Sequence, residues 1–203
     1  MPVWLTEAEH HTLEIVLDLV IPGDGTSPGA GSSGGADYVD GVLGAFAFDP
    51  PHIWAGGPFS GRHGGEANFG DWLELGAAEE LGWRMRIEGS CGMAEREFNG
   101  ALVGWQQRYR DGLAALGADF ESIDESAQRE RLAACLEDEF RELVFTHACE
   151  SLYGDPIYGG NRDASAWVAI GFAGDVQPRG WTDAEVTNPE LTNPEHTNPE
   201  PTR

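Results

Sequence analysis

Between residues 153 and 172 the chain gathers residue types that bind or anchor, in the run YGDPIYGGNRDASAWVAIGF. Arg162 carries a planar guanidinium suited to binding carboxylates or carbonyls. Gly159 and Gly160 permit backbone angles that other residues avoid. Large rings together with arginine are the residue types enriched at the centres of protein interfaces. The block therefore predicts either a binding surface or a loop whose Arg162 pairs inside the chain and whose Trp167 lies in the core.

Within this block, aromatic side chains supply large rigid surfaces and polar residues form the turn. Asn161 and Asp163 are common turn residues, and we expect Asp163 to cap a short helix that holds Trp167. We predict Arg162 as the anchoring charge, with Tyr158 and Trp167 as aromatic contacts. The candidate interface residues are Tyr158, Gly159, Gly160, Asn161, Arg162, Asp163, Trp167 and Phe172.

Two glycine motifs lie earlier in the chain, between residues 29 and 35. Gly29, Gly31 and Gly34 match G-x-G-x-x-G, and residues 31–35 match G-x-S-x-G. The first motif binds phosphates only after a strand and before a helix, and the second needs a strained strand-to-helix turn. Because a helix is predicted before them and no βαβ alternation follows, we interpret this segment as a flexible linker.

Histidines and cysteines form no recognisable ligand set. His10 and His11 are adjacent on a predicted helix, so they point in different directions. Cys91, Cys135 and Cys149 are far apart and form neither C-x-x-C nor C-x-x-C-H, the patterns typical of zinc sites and of attached haem. We predict three reduced, buried thiols, and we assign no catalytic, cofactor-binding or metal-binding residue to this chain.

The charge of the chain excludes several classes of partner. Its formal net charge is −23, and its twelve basic residues are all arginine. Such a chain repels nucleic-acid phosphates and anionic lipid surfaces. A hydrophobic content of 40%, with seven Trp and nine Phe, is sufficient for a sizeable core. With neither a signal peptide nor a run of about 18 apolar residues, we expect no membrane insertion and a cytoplasmic location, or an extracytoplasmic one if a partner carries the export signal.

The elements that would position these residues are mostly helical. Thr6 and Glu9 have the spacing of a capping box before an amphipathic helix that ends near Ile21. Similar spacings predict helices within residues 37–46, 79–116 and 125–153, with Phe98 and Leu102 facing inward beside Trp105. The stretch WVAIGF is the one candidate strand. The predicted fold class is mainly α, a single compact helical domain with long Gly/Pro-rich loops and a disordered C-terminal tail.

That tail contains the sequence TNPE three times at a period of five, between residues 187 and 200. Each proline lacks a backbone donor and restricts the preceding asparagine to extended conformations. We therefore divide the chain into a helical domain over residues 1–182 and a disordered tail over residues 183–203.

Several segments resemble the gluconate 2-dehydrogenase subunit 3 family. The run from residue 153 to 182, YGDPIYGGNRDASAWVAIGFAGDVQPRGWT, is similar to the signature of that family, and LTEAEHHTLEIVLDLVIPGD is similar to its first helix. The segments IWAGGPFSGRHGG, RIEGS and EREFNG resemble one branch of it. The resemblance covers most of residues 5–182 and leaves out the TNPE tail.

This resemblance implies a small, non-catalytic subunit of a redox complex. Members of the family accompany a large flavoprotein of the glucose–methanol–choline oxidoreductase type, which oxidises sugar or alcohol substrates and holds FAD. Some complexes add a cytochrome c subunit. The resemblance thus implies that the chain binds no cofactor itself and supports the folding, stability or export of the flavoprotein.

Two other functions agree with the same residues. A free-standing enzyme would have its site around His63, Asn161, Arg162 and Asp163. A binding or scaffold module would use the acidic surface instead, and its complexes would dissociate as salt screens the charges.

Overall fold

The computed structural model describes residues 1–53, 75–135 and 138–172, and these ranges are mainly helical. They contain no strand, and one isolated antiparallel bridge joins Gly89 to Val103. Short 3₁₀ turns lie between several helices. The α-helices of the described ranges are α1 Glu7–Val20, α2 Gly35–Leu43, α3 Ala77–Ile87, α4 Trp105–Leu116, α5 Glu125–Cys135, α6 Asp138–Tyr153 and α7 Ser165–Ala169. The predicted mainly α fold is confirmed.

Helix α1 begins where the sequence predicts. The Thr6 hydroxyl accepts the Glu9 backbone N–H, and the Glu9 carboxylate accepts the Thr6 N–H, so the capping box is formed. Leucines and valines at helical spacing make one buried face. The helix ends at Val20, two residues before Pro22, which cannot continue it.

The core lies where α1 packs against α2, α4 and α6. Leu13 and Leu17 of α1 are fully buried, as are Val39 of α2 and Tyr109 of α4. Phe140 of α6 packs over Gly112, where a Cβ would lie 2.1 Å from the ring. A side chain at position 112 would therefore push α4 and α6 apart.

The glycine-rich segment between α1 and α2 is packed, so the prediction of a flexible linker is wrong. The Asp18 carboxylate accepts the backbone N–H groups of Gly31 and Ser32. A Cβ at Gly31 would lie 2.0 Å from the carbonyl oxygen of Glu14. Glycine is needed because the loop backbone lies directly on α1 and leaves no room for a Cβ. The spacing of apolar residues in the sequence does not reveal this contact.

The boundaries of two other elements differ from those predicted. Helix α4 begins at Trp105, so Phe98 and Leu102 precede it and are exposed, at 90% and 43%. Gly100 has a left-handed φ of 101°, which interrupts the predicted helix in a conformation that glycine favours. The candidate strand WVAIGF belongs instead to α7 and the turn after it.

The prediction of three buried thiols is wrong for Cys91, which is exposed in a turn with a φ of 49°. Cys149 is half-buried, and the side chain of Cys135 lies outside the described set. Also outside the described residues are His63, most of the long Gly/Pro loop, the TNPE repeats, and residues 173–182 at the end of the family signature.

Candidate functional site

The block of residues 153–172 is anchored to the glycine-rich loop before α2. The backbone N–H of Arg162 donates to the carbonyl of Ser33 at 3.0 Å. The Arg162 guanidinium pairs with the Asp37 carboxylate at the start of α2, and its side chain stays half exposed. Gly34 has a φ of 91°, and a Cβ there would lie 2.7 Å from the Gly159 carbonyl oxygen. Two glycine-containing loops therefore meet backbone to backbone.

Asn161 holds the turn of the block together. It is fully buried and has a left-handed φ of 46°. Its amide nitrogen donates to the Gly154 carbonyl, and its amide oxygen accepts the N–H of Ala166 in α7, each at 3.0 Å. The prediction that Asp163 caps α7 is therefore wrong, because Asn161 supplies that contact.

Trp167 is buried and connects α7 to the end of α6. Its indole N–H donates to the carbonyl of Tyr153 at 2.7 Å, and its ring meets the ring of Phe172 edge to face at 5.1 Å. Around it, apolar side chains face solvent. We call these the C-terminal apolar patch, and its members are Tyr153, Val168, Ile170 and Phe172, exposed at 45%, 75%, 58% and 42%.

A cavity of about 460 Å³ lies beside the block, between α2, α3, α4 and α6. Two predicted site residues, Tyr158 and Gly159, line it together with residues from the helices. Its aromatic and charged wall is made of Tyr38, His52, Trp83, Arg86, Trp105 and Glu150. Its size and ring-lined wall are typical of pockets for small molecules or for a partner's side chain.

The polar groups of the cavity are held in place by neighbours. The Tyr38 hydroxyl donates to the Glu150 carboxylate at 2.8 Å, and burial raises the pKa of Tyr38 well above its ordinary value. The Arg86 guanidinium lies 4.7 Å from the ring centre of Trp83 and 5.8 Å from that of Trp105. His52 stacks on Phe48, and burial lowers its pKa. The neutral imidazole is thus the favoured form.

Behind this wall, Tyr109 and His147 form a buried pair. Burial raises the pKa of Tyr109, so its hydroxyl stays protonated, and the hydroxyl is hydrogen-bonded to Nδ1 of His147 at 2.9 Å. Burial lowers the pKa of His147 to about 4. The Trp105 ring meets the imidazole edge to face at 4.8 Å. The pair is a neutral hydrogen bond in the core, which satisfies two polar groups that burial would otherwise penalise.

Among the described residues, no group of three or more His, Cys, Asp or Glu side chains is placed to hold a metal ion. No helix in the same ranges has the length and apolar character needed to cross a membrane. Of the four residues of the enzyme hypothesis, Asn161 has both ends of its amide engaged in the fold and Arg162 is paired. Asp163 is exposed.

The structure brings the predicted site residues together but gives them different surroundings. Asn161, Gly160 and Trp167 are buried, whereas Arg162, Asp163 and Phe172 reach the surface. The cavity wall and the exposure of Val168 and Ile170 were missed in the sequence. The aromatic content is a signal for the wall, but its Tyr and Trp rings come from three helices, α2, α3 and α4, and their meeting point depends on tertiary packing.

Comparison with protein-family models gives a match over most of the chain. The model described as Gluconate 2-dehydrogenase subunit 3 matches residues 7–174. This match confirms the resemblance seen in the sequence. Comparisons with curated proteins and with solved structures found no match.

Proposed function

Because the chain belongs to the gluconate 2-dehydrogenase subunit 3 family, we propose that it is the non-catalytic small subunit of an FAD-dependent sugar or alcohol dehydrogenase. In this role it supports the folding and stability of a large flavoprotein subunit of the glucose–methanol–choline type. In complexes that transfer electrons onward, a cytochrome c subunit is a further partner. The family description supports the role of a subunit, and the catalytic chemistry belongs to the partner.

The C-terminal apolar patch is the observation that carries this proposal. Four apolar or aromatic side chains lie exposed within 20 residues, around the buried Trp167. Exposed apolar side chains concentrated in one segment of the chain favour a site that binds another protein. The patch lies in the segment that also contains the predicted interface residues, and Phe172 belongs to both.

The anchoring of the block supports the same role. Contacts of Arg162 and Asn161 fix the turn before α7, so the patch is presented on a preformed surface. A preformed surface loses less conformational entropy on binding than a flexible one. Arg162 and Trp167 thus contribute by positioning the contacts, while Val168, Ile170 and Phe172 are the side chains that meet the partner.

The proposal places FAD in the partner and no flavin in this chain. Flavin sites are commonly built on βαβ units that bind the dinucleotide at a strand-to-helix turn. The described ranges contain helices and no strand. The purified chain is therefore expected to show no flavin absorbance and no turnover of alcohols with a dye acceptor, and either activity would contradict the proposal.

Co-expression with a candidate flavoprotein from the neighbouring reading frames tests the complex directly. We expect the two chains to co-purify, and we expect the yield of FAD-loaded flavoprotein to fall when this chain is omitted. Val168→Ser should weaken binding by about tenfold, because it removes an exposed apolar contact from the interface. Val3→Ser, at an exposed valine far away in sequence, is the matched control. Equal binding by both variants would exclude the patch as the docking surface.

A further inference from the structure

The segment between α3 and α4, residues 88–104, is a loop with internal hydrogen bonds and an exposed phenylalanine; we call it the Phe98 loop. Its two ends are joined by the Gly89–Val103 bridge and by the Ser90 N–H, which donates to the Leu102 carbonyl at 3.0 Å. In return, the Leu102 N–H donates to the Ser90 hydroxyl at 2.6 Å. The loop is thus closed at its base.

A buried arginine fixes the inside of the loop. Arg96 is 6% exposed, and its guanidinium donates to the Glu88 carboxylate at 2.8 Å and to the Gly89 carbonyl at 3.2 Å. Glu88 also pairs with Arg84 of α3. The Arg96 guanidinium is bonded to two residues at the closed end of the loop. These bonds restrict the backbone around Arg96, including residues 97 and 98.

Four apolar side chains of this loop are exposed. Phe98 is 90% exposed, and Val103, Leu102 and Met93 are exposed at 59%, 43% and 41%. A phenylalanine side chain that enters a pocket buries about 150 Å² or more of its accessible surface. Side chains of this kind on preorganised loops are typical anchors of protein interfaces. Nothing in the structural role of the loop requires Phe98 to point into solvent.

We propose that Phe98 is a second anchor, which inserts into an apolar pocket with a basic rim on the flavoprotein subunit. This inference rests on the proposed function. Glu95 is exposed and Glu97 half-buried beside the anchor, so a pocket rimmed by arginine or lysine is electrostatically complementary. A second copy of this chain is disfavoured as the occupant, because two chains of net charge −23 repel each other.

The test measures the affinity of the purified full chain for the co-expressed flavoprotein subunit with wild type, Phe98→Ser and Phe145→Ser. Phe145 lies on α6 and is 53% exposed, so its variant controls for the loss of an exposed ring elsewhere. We expect Phe98→Ser to weaken binding by at least about tenfold and Phe145→Ser to have little effect. Unchanged thermal unfolding midpoints would show that both variants fold.

The other outcomes separate this inference from the proposed function. If the wild-type chain does not bind the flavoprotein, the proposed function fails and the inference fails with it. If the wild type binds and Phe98→Ser binds equally well, or if both phenylalanine variants lose the same affinity, only the anchor is overturned. A wild-type homodimer that Phe98→Ser converts to a monomer would assign the loop to a second copy and also overturn the inference. A charge-reversed Glu95→Arg variant should associate more slowly, since it opposes the basic rim.

Discussion

At the scale of single residues, the fold depends on polar side chains whose hydrogen-bonding groups are used inside the molecule. Asn161 joins the carbonyl of Gly154 to the N–H of Ala166 in α7, and Tyr109 is hydrogen-bonded to His147 in the core. Such contacts contribute little relative to water, but they are costly to lose because the remaining partner stays buried. They also couple stability to pH wherever one partner can change its charge.

His147 should make the protein less stable as the pH falls. Its pKa is about 4 in the folded chain, against 6.5 for an unperturbed histidine, because burial disfavours the imidazolium. The unfolded state therefore binds more protons between these values, and stability that is present above pH 6.5 is lost as the pH falls toward 4. The difference corresponds to about 3 kcal/mol. Urea unfolding at several pH values should show this loss.

The variant His147→Gln isolates the pH-dependent contribution of His147 to stability. Glutamine can still form a hydrogen bond with the Tyr109 hydroxyl but cannot become protonated. The variant's free energy of unfolding should depend less on pH than that of wild type across the same window. Identical slopes for wild type and His147→Gln would show that burial of this imidazole does not control acid stability.

At the scale of elements, helices are held by segments that have no regular structure. The N-terminal segment lies against α2, because the buried Asp40 carboxylate accepts the backbone N–H groups of Val3, Trp4 and Leu5. Asp18 does the same for the loop that follows α1. In each case, one carboxylate on a helix positions several residues of a neighbouring irregular segment. The carboxylate and the residues that it binds are more than ten positions apart in the sequence.

Asp40→Ala should destabilise the protein by about 3 kcal/mol, since three N–H groups lose a charged acceptor. The free energy of unfolding in urea measures the effect, and faster amide exchange at residues 3–5 would locate it. Asp111→Ala is the control, because Asp111 is exposed and accepts from Gln107 within one helix. If the two variants were equally stable, the contact between Asp40 and the N-terminal segment would not support the fold.

Elements with a local signal were predictable from the sequence, and those that depend on distant contacts were not. Helix α1 has a capping box at its start and a proline just beyond its end, so its bounds follow from the local sequence. The start of α4 does not, because the spacing of Phe98 and Leu102 is helical while Gly100 interrupts the helix. In the candidate site, the turn residues were identified, but the pairing of Arg162 with Asp37 joins positions 125 residues apart. Only tertiary packing decides that contact.

At the scale of the whole molecule, the net charge opposes association between copies of the chain, whereas the exposed apolar surface favours association. A net charge of −23 keeps copies of the chain apart. The C-terminal apolar patch and the Phe98 loop, in contrast, leave apolar side chains in water. In the proposed complex, a less acidic partner would bury this apolar area without bringing two strongly negative chains together.

The response of the complex to salt should show which of these two forces holds it. Raising the salt from about 0.1 M to about 1 M shortens the Debye length from about 10 Å to about 3 Å. Charges at the rim then contribute little, whereas burial of Val168, Ile170, Phe172 and Phe98 is retained. We expect the dissociation constant measured by calorimetry to rise less than about tenfold, with a negative heat-capacity change of binding as the mark of apolar burial. A complex that dissociates over this range would instead be held by the acidic surface, as expected of a charge-driven scaffold module.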